Sequence, residues 1–319
     1  MRDRLLAVRH HTASDKLSML IERADDVTTA ALSVMEQTSD PRLREIMVSL
    51  VKHLHGFVRD VGLTELEFRQ ATAVLNEIGK AATDTHNEMV LMAGSLGVSA
   101  LVCLQNNGEH GSKPTTQNLL GPFWRLHQPV TQNGGSIVRS ETPGDPMRAS
   151  LRVVDSNGDP VENAEVDIWH ASPVGLYENQ DDQQVHMNLR GKFRTDARGR
   201  LWFWSVKPKG YPIPTDGVVG RLLRAQNRHP FRPAHVHALV FKEGFKTLVS
   251  QIYDSEDPHI DSDVQFGVTK ALFAKYAKHD GDLPQDDPGS PGGSGRWWSL
   301  DHVLTLEPGE SRLPEPPIK

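Results

Sequence analysis

A change in the spacing of apolar residues near position 106 limits what this chain of 319 residues can fold into. From Pro41 to Val58, apolar side chains recur every three or four positions, which is typical of an amphipathic helix with one buried face. After the segment 106–108, apolar runs become short, alternate with polar residues and are separated by turn-forming residues. The sequence therefore predicts an α+β fold in which a helical N-terminal segment precedes an all-β sandwich.

Capping signals divide the helical part into about four helices. Asp40 suits the N-cap of a helix that begins at Pro41, and Thr64 with Glu67 forms the capping box of the next helix. Two further helices are expected, one from Asp25 to Gln37 and one from Thr85 to Leu104 with interruptions at Gly94 and Gly97.

The second part of the chain has several short strand patterns. We place the boundary after residue 108, with a helical domain at 1–108 and a β-sandwich domain at 109–319. The segment Asp280 to Arg296, rich in Pro, Gly and Asp, is predicted to be a loop. The predicted strands include Leu151 to Val153, Val166 to Ile168, Leu201 to Val206, Ala234 to Phe241, Thr247 to Tyr253 and His302 to Leu306.

Charge and composition exclude several classes of protein. The formal net charge of −6 gives no reason to expect a nucleic-acid partner. No apolar run reaches the roughly 18 residues of a membrane-spanning helix, so no membrane insertion is expected. Cys103 is the only cysteine, which excludes an intramolecular disulfide framework and cysteine-based metal clusters. We therefore expect a cytoplasmic protein.

Two histidines and two tyrosines are the strongest candidates for a functional site. His235 and His237 lie two positions apart on a predicted strand, so both side chains point to the same face and could chelate a transition metal. The same pattern also fits two ordinary hydrogen-bonded histidines. Tyr177 and Tyr211 follow predicted strands in loop segments rather than in periodic apolar runs. A trivalent iron would favour such phenolic oxygens and would help them to ionise.

Four segments in this order resemble the intradiol ring-cleaving catechol dioxygenases. The spacings also fit that family, with 34 residues from Tyr177 to Tyr211 and 24 from Tyr211 to His235. The resemblance covers nearly the whole chain. The four segments are Leu119 to Trp124, Asp167 to Tyr177, Gly210 to Pro214 and Arg232 to His237.

The resemblance implies an enzyme with a mononuclear non-haem iron(III) site, with one Fe(III) per subunit. Its ligands would be Tyr177, Tyr211, His235 and His237. Tyr211 would also act as a base that accepts a substrate proton. Two further residues would have catalytic roles: Arg232 would stabilise negative charge on the substrate ring, and Gln251 would orient a ligand or the arginine.

The resemblance also implies the substrates and the assembly. An aromatic 1,2-diol and O2 would react, and the chain looks closest to the branch that opens hydroxyquinol (benzene-1,2,4-triol) toward maleylacetate. The alternative is catechol or a substituted catechol such as a chlorocatechol, which would give a cis,cis-muconate. The N-terminal helices would form a homodimer, and in several family members they enclose a bound phospholipid.

Seven positions correspond to residues that line the ring pocket of family members. Gly94 departs from the aspartate expected in the hydroxyquinol branch, which removes a partner for the third hydroxyl group and is expected to leave more room. The seven are Leu91, Gly94, Gly121, Pro122, Phe123, Ile213 and Pro214.

Two other classes of protein remain as alternatives. A cupin-type enzyme would combine His235, His237 and Glu243 into a site of two histidines and one carboxylate. A metal-free, transthyretin-like β-sandwich would be a binding module whose helices serve dimerisation. The cupin-type alternative leaves Tyr177 and Tyr211 without a chemical role.

Overall fold

The computed structural model describes residues 20–83, 86–107 and 115–317. The chain divides into two compact units, Met1–Ala73 and Val74–Lys319. The first unit contains helices, and the second contains the β-structure together with further helices. The predicted α+β class, with helices first and a β-sandwich afterwards, is confirmed.

In the described parts of the chain before residue 108, there are five helices rather than four. The Asp40 side chain accepts a hydrogen bond from the Leu43 amide at 2.8 Å, and the Glu67 carboxylate accepts one from the Thr64 amide at 2.9 Å, as both capping signals predicted. The expected long helix is split at Gly97, whose positive φ of +75° ends one helix before the next begins. The helices are α1 Ala24–Met35, α2 Pro41–Asp60, α3 Glu65–Lys80, α4 Glu88–Ser95, α5 Val98–Asn107 and, within the β-structure, α6 Val218–Ala225.

Two larger sheets form the sandwich. Their strands are β1 Pro146–Val154, β2 Glu165–Trp169, β3 Arg190–Arg194, β4 Arg200–Val206, β5 Tyr211–Pro212, β6 Phe231–Arg232, β7 His235–Phe241, β8 Leu248–Asp254, β9 Phe273–Ala274, β10 Tyr276–Asp282 and β11 Ser294–Thr305. One sheet has the order β10-β11-β1-β4 and the other has the order β3-β2-β7-β8-β9, while β5 pairs with β6 in a separate ribbon.

The main core lies between the two larger sheets. Ala149 and Leu151 alternate along β1, Val236 and Ala238 alternate along β7, and all four belong to one buried apolar cluster. This period of two leaves the other face of β7 free for polar side chains. The sandwich therefore presents His235 and His237 on a rigid strand.

The prediction of a loop over residues 280–296 is wrong at both ends, because β10 continues to Asp282 and β11 begins at Ser294. These two strands pair residue by residue, but the pattern of β10 is mostly polar and carries no strong apolar alternation. A stacked contact between His279 and Trp297, with ring centroids 4.1 Å apart, supports the pairing across the hairpin. The sequence also failed to predict β3 and α6.

Among the described helices, none alone has the length and apolar composition needed to cross a membrane. Taken together, α4 and α5 reach that composition, but the two helices meet at a bend of 76°.

One aspartate fixes the connection between β10 and β11 to the sheet. Asp287 accepts hydrogen bonds from Arg148 Nε at 2.6 Å, from Trp202 Nε1 at 2.8 Å and from Trp204 Nε1 at 3.1 Å. Burial opposes its charge, but these donors hold the pKa of the Asp287 carboxyl below its usual range. The carboxylate is therefore the common acceptor for three side chains of the sheet.

Replacing Asp287 by Asn should lower the free energy of unfolding by about 1–3 kcal/mol. The new side chain has an NH2 group in place of one carboxylate oxygen, and this donor would face the N–H groups of Arg148 and the two tryptophans instead of accepting from them. Chemical denaturation measures the change. The exposed neighbour Asp286 is the matched control, and Asp286→Asn should change stability by less than about 0.5 kcal/mol. Equal effects of the two substitutions would contradict the anchoring role of Asp287.

Candidate active site

The two histidines lie on one face at the beginning of β7. Their rings are 4.9 Å apart between centroids, and each residue is only 2% exposed. The residue between them, Val236, points into the main core. The strand geometry therefore brings the two imidazoles together, as their spacing of two residues predicted.

The two tyrosines reach the same place from different loops. Tyr177 immediately precedes a 3₁₀ turn at Glu178–Gln180, and Tyr211 begins β5. Their Oη atoms are 3.3 Å apart, and the ring of Tyr211 lies 5.6 Å from that of His235. The ring of Tyr177 lies 6.4 Å from that of His237. The structure thus brings together all four side chains that were predicted as ligands.

Both imidazoles are neutral at physiological pH. Burial and then the Arg232 guanidinium lower the pKa of His235 to about 3, and burial with His235 nearby holds the pKa of His237 well below its ordinary value. His235 Nδ1 donates to the Pro233 carbonyl at 2.7 Å, which leaves the lone pair of His235 on Nε2. A neutral imidazole with a fixed tautomer is the form that binds metals.

The phenol of Tyr177 needs a nearby cation to ionise. Burial and then the nearby Tyr211 raise the pKa of the Tyr177 phenol well above its usual range. His237 Nδ1 is buried and has no hydrogen-bond partner among the described residues, and the ring of His237 stacks on Trp169 at 4.6 Å. Two phenolic oxygens and two neutral imidazoles form a donor set that fits iron(III), a hard cation that prefers oxygen donors.

The cupin-type alternative does not agree with the geometry. Glu243 lies beyond the far end of β7, six residues after His237 or about 20 Å along an extended strand. In the described part of the chain, no three His, Cys, Asp or Glu side chains are grouped so that they could hold a metal.

Arg232 is the only cation hydrogen-bonded to either histidine of the site among the described residues. Its Nη1 lies 3.4 Å from His235 Nε2, and the residue is 3% exposed. The guanidinium binds Asp263 with two hydrogen bonds of 3.1 Å, and it also donates to Gln251 Oε1 at 2.9 Å. Although burial opposes its charge, Asp263 holds the pKa of Arg232 well above its ordinary value. Arg232 is therefore charged and fixed in position.

Two partners of Arg232 were not predicted from the sequence. Tyr253 Oη accepts from Arg232 Nη2 at 3.0 Å and donates to Gln251 Oε1 at 2.6 Å. Gln251 Nε2 in turn donates to the Leu119 carbonyl at 2.7 Å. Tyr253 is two residues after Gln251 on β8, and side chains two positions apart on a strand share a face. This alternation could have predicted that Tyr253 lies beside Gln251. Asp263 lies in an irregular segment, and no periodic pattern identifies it.

The segment 121–123 approaches two of the predicted ligands, His237 and Tyr177, closely. Gly121 has a φ of +72°, and a methyl group at this position would lie 3.4 Å from Cε1 of His237. The ring of Phe123 lies 4.5 Å from that of Tyr177, and Pro122 stands between these two residues in the chain. These contacts place the 121–123 segment next to the histidine and the tyrosine, and they explain why position 121 needs glycine.

The other predicted pocket residues lie on two neighbouring surfaces. Leu91 and Ile213 belong to one buried apolar cluster, and Pro214 helps Phe123 and Ile213 to line a cavity of about 640 Å³. Gly94 does not leave the space that was expected. The carboxamide of Gln265 occupies it, and a methyl group at position 94 would lie 2.7 Å from Gln265 Oε1.

Comparison with known proteins identifies the family. The family model described as "Dioxygenase" matches residues 119–289, and that described as "Catechol dioxygenase N terminus" matches residues 40–113. A hydroxyquinol 1,2-dioxygenase from Rhizobium sp. (strain MTP-10005) is 38% identical over 92% of this chain and 98% of its own length. A catechol 1,2-dioxygenase from Candida albicans is 35% identical over 79% of this chain and 84% of its own length.

A solved structure supports the same conclusion. The hydroxyquinol 1,2-dioxygenase from Pseudomonas putida DLL-E4 has a TM-score of 0.81 and 34% identity, and the match covers 90% of this chain and 99% of the other. The fold and the matches define a ring-cleaving oxygenase. The chain belongs to the intradiol ring-cleavage dioxygenases, enzymes that open an aromatic ring between two adjacent hydroxylated carbons.

Replacing Asp263 by Asn should lower the free energy of unfolding by about 3–5 kcal/mol, because it leaves the buried charge of Arg232 without its carboxylate. Chemical denaturation of both proteins measures the difference. Asp261→Asn is the control, since Asp261 is exposed two positions away, and it should stay within about 0.5 kcal/mol of the parent protein. A loss below 1 kcal/mol for Asp263→Asn would show that the charge pair is not essential.

Proposed function

We propose that this enzyme cleaves hydroxyquinol with O2 to 3-hydroxy-cis,cis-muconate, the tautomer of maleylacetate. The observation that carries the proposal is the convergence of two phenol and two imidazole side chains beside a buried arginine. Relatives named hydroxyquinol 1,2-dioxygenase, at 33–38% identity, support the choice of substrate. Relatives named for catechol and for 6-chlorohydroxyquinol, each at 35% identity, make catechol and chlorinated diols the second candidates.

We propose that one Fe(III) per subunit is held by Tyr177, Tyr211, His235 and His237. When bound, this ion would act as a Lewis acid toward the diol and make its ring reactive toward dioxygen. All four side chains are buried, and both imidazoles are neutral. These two properties support the four residues as the ligand set.

Tyr211 is the better candidate for the residue that accepts a substrate proton, at its Oη atom. Tyr177 is 2% exposed, and its ring packs against Phe123 and lies 5.9 Å from the Arg190 guanidinium. Tyr211 is 7% exposed and begins a strand of only two residues, directly before the pocket residue Ile213. The less constrained phenol is the one that can move to exchange a proton.

Arg232 would stabilise negative charge that develops on the ring. Its guanidinium is fixed by Asp263 and by Gln251, so it needs little reorganisation when charge appears. Gln251 would act through the arginine as a positioning residue, since its amide connects Arg232 to the Leu119 carbonyl. The pocket would be lined by the predicted residues Leu91, Gly94, Gly121, Pro122, Phe123, Ile213 and Pro214.

Replacing Tyr177 by Phe should remove or strongly shift the red visible absorption expected of a tyrosinate bound to iron(III), and it should lower the iron content. Absorption spectra and metal analysis of the purified proteins are the measurements. Tyr276→Phe is the control, because Tyr276 is also buried but donates to the Ile252 carbonyl in the main core. If Tyr177→Phe kept the band and the iron unchanged, Tyr177 would not be a ligand.

The substrate is tested by oxygen uptake with hydroxyquinol, catechol and chlorocatechols in parallel, with product spectra. We expect the highest kcat/KM with hydroxyquinol and one O2 consumed for each ring opened. A higher kcat/KM with catechol would overturn the choice of hydroxyquinol while leaving intradiol cleavage intact. No uptake with any diol by the iron-loaded protein would overturn the proposed function itself.

We also propose a homodimer formed through the helical domain at 1–108. Four apolar residues on one face of α2 are each about half exposed, which is unusual for a monomer. A second copy of this chain would cover them, and a co-purifying phospholipid is the other outcome that solvent extraction and mass spectrometry would detect. The four residues are Ile46, Leu50, Leu54 and Phe57. The sequence holds a single cysteine and therefore no intramolecular disulfide framework, and on that ground we propose a cytoplasmic location.

Leu50→Glu with Leu54→Glu should convert the dimer to a monomer, because two charges would be buried in an apolar contact. Light scattering after gel filtration measures the mass. Lys52→Glu is the control, since Lys52 is exposed on the same helix and should leave the dimer intact. A parent protein that is monomeric, or a double variant that stays dimeric, would contradict this interface.

A further inference from the structure

A fully buried arginine lies against the ring of Tyr177. The guanidinium carbon of Arg190 is 5.9 Å from the centre of that ring. Arg190 Nε donates to Glu178 Oε2 at 2.7 Å, and Nη1 donates to the Phe123 carbonyl at 2.5 Å. The ring of Phe123 lies 4.5 Å from that of Tyr177. One guanidinium therefore fixes both the residue that follows Tyr177 and a residue that packs on its ring.

The positive charge of Arg190 is only partly neutralised. Glu178 is its one carboxylate partner among the described residues, and Glu178 is shared with Arg125, whose Nη1 lies 3.1 Å from Oε1. Arg190 Nη2 is buried and has no hydrogen-bond partner in the part of the chain that the structure describes. Arginine stays protonated in proteins, so two cations share a single carboxylate. This cluster therefore carries a net positive charge beside Tyr177.

The backbone directly before Arg190 is strained. Met187 and Leu189 have φ values of +63° and +58°, in the left-handed region that residues other than glycine rarely adopt. Asn188 between them is buried, and its Oδ1 accepts from the Arg139 amide at 2.8 Å. The surrounding structure thus holds the chain in an unfavourable conformation up to Arg190. Strain of this kind clusters at functional sites, where a side chain is needed in one defined position.

Stability alone does not account for the buried cation. The cost of taking two charges out of water offsets their attraction, so a buried ion pair contributes little to the free energy of unfolding. What distinguishes Arg190 is its contact with an aromatic ring, because a cation close to a ring interacts with its electrons. Of the two tyrosines of the site, Tyr177 is the one with such a contact among the described residues.

We propose that Arg190 is a positioning residue that acts through Tyr177, by holding its ring and by withdrawing electron density from its oxygen. This inference rests on the proposed binding of iron by Tyr177. A nearby positive charge stabilises a phenolate and makes it a weaker electron donor. A weaker donor in turn leaves a bound iron(III) a stronger Lewis acid toward the diol. Arg190 would thus keep Tyr177 as the permanent anionic ligand, while Tyr211 exchanges the substrate proton.

The test compares Arg190→Met with Glu178→Gln in the iron-loaded protein, by absorption spectroscopy. The visible band comes from electron transfer from phenolate to iron, so its energy falls when the phenolate becomes a stronger donor. Arg190→Met removes a positive charge and should move the band to longer wavelength. Glu178→Gln removes the negative charge, leaves both arginines and should move the band to shorter wavelength. A merely structural role predicts shifts in one direction, because both substitutions break the same ion pair.

A redox titration gives an independent measurement on the same variants. The midpoint potential of the bound iron should fall in Arg190→Met and rise in Glu178→Gln, because a stronger donor favours iron(III). Arg190→Lys keeps the charge and should leave the band closer to its parent position than Arg190→Met does. Arg194→Met is the matched control, since Arg194 is exposed on the same strand, and it should leave both band and potential unchanged.

The results separate this proposal from the proposed iron site. If Tyr177→Phe removes or shifts the band, but Arg190→Met and Glu178→Gln leave it in place or shift it in the same direction, the role of Arg190 alone is overturned. If Arg190→Met does not fold, Glu178→Gln decides: a shift to shorter wavelength supports the proposal, and any other result overturns it. If the iron-loaded parent has no band, or Tyr177→Phe leaves it unchanged, both the ligand assignment and the role of Arg190 are overturned.

Discussion

The antiparallel register of β7 between β2 and β8 is the constraint on which the candidate active site depends. His237 is paired with Trp169 on one side and with Gln251 on the other, and His235 is paired with Tyr253. A slip of one residue would turn both imidazoles toward the main core and would expose Val236 on the site face. The apolar alternation that builds the sandwich therefore also sets the positions of the histidines, the stacked indole and the glutamine.

A buried network of ions fixes the first tyrosine. Glu178 follows Tyr177 and accepts from Arg190 Nε at 2.7 Å and from Arg125 at 3.1 Å, while Arg190 Nη1 donates to the Phe123 carbonyl at 2.5 Å. Buried ion pairs contribute little net stability, because removing charges from water offsets their attraction. The network instead links β3, the 3₁₀ turn that follows Tyr177 and the 121–123 segment in one geometry. The tyrosine keeps its position because three distant parts of the chain meet at Glu178.

The sequence predicted those features that follow from the periodic spacing of residues in a strand or helix, or from a helix-capping residue. The pair at His235 and His237 follows from the alternation of a strand, and the start of α2 follows from the N-cap at Asp40. The resemblance to a family then assigned roles to residues that no period identifies, such as Tyr211. Asp263 could not be predicted, because it lies in an irregular segment and reaches Arg232 only through the tertiary fold. The hairpin of β10 and β11 was missed for a related reason, since backbone pairing rather than an apolar pattern holds it.

Position 94 shows why the identity of one residue does not predict the shape of a pocket. In the sequence, glycine in place of the expected aspartate predicted a larger pocket with one polar group fewer. In the fold, the space belongs to Gln265, which is 171 positions away in the chain and enters it from the segment that also carries Asp263. A neutral amide there differs from a carboxylate in one important respect, because it adds no negative charge close to Arg232. Among the described residues, Asp263 is then the single carboxylate partner of Arg232. The positive charge of Arg232 therefore still lowers the pKa of both imidazoles, and it would attract an anionic ring bound beside them. The neutral side chain that fills the space beside Gly94 therefore bears on the electrostatics of this region as well as on its shape.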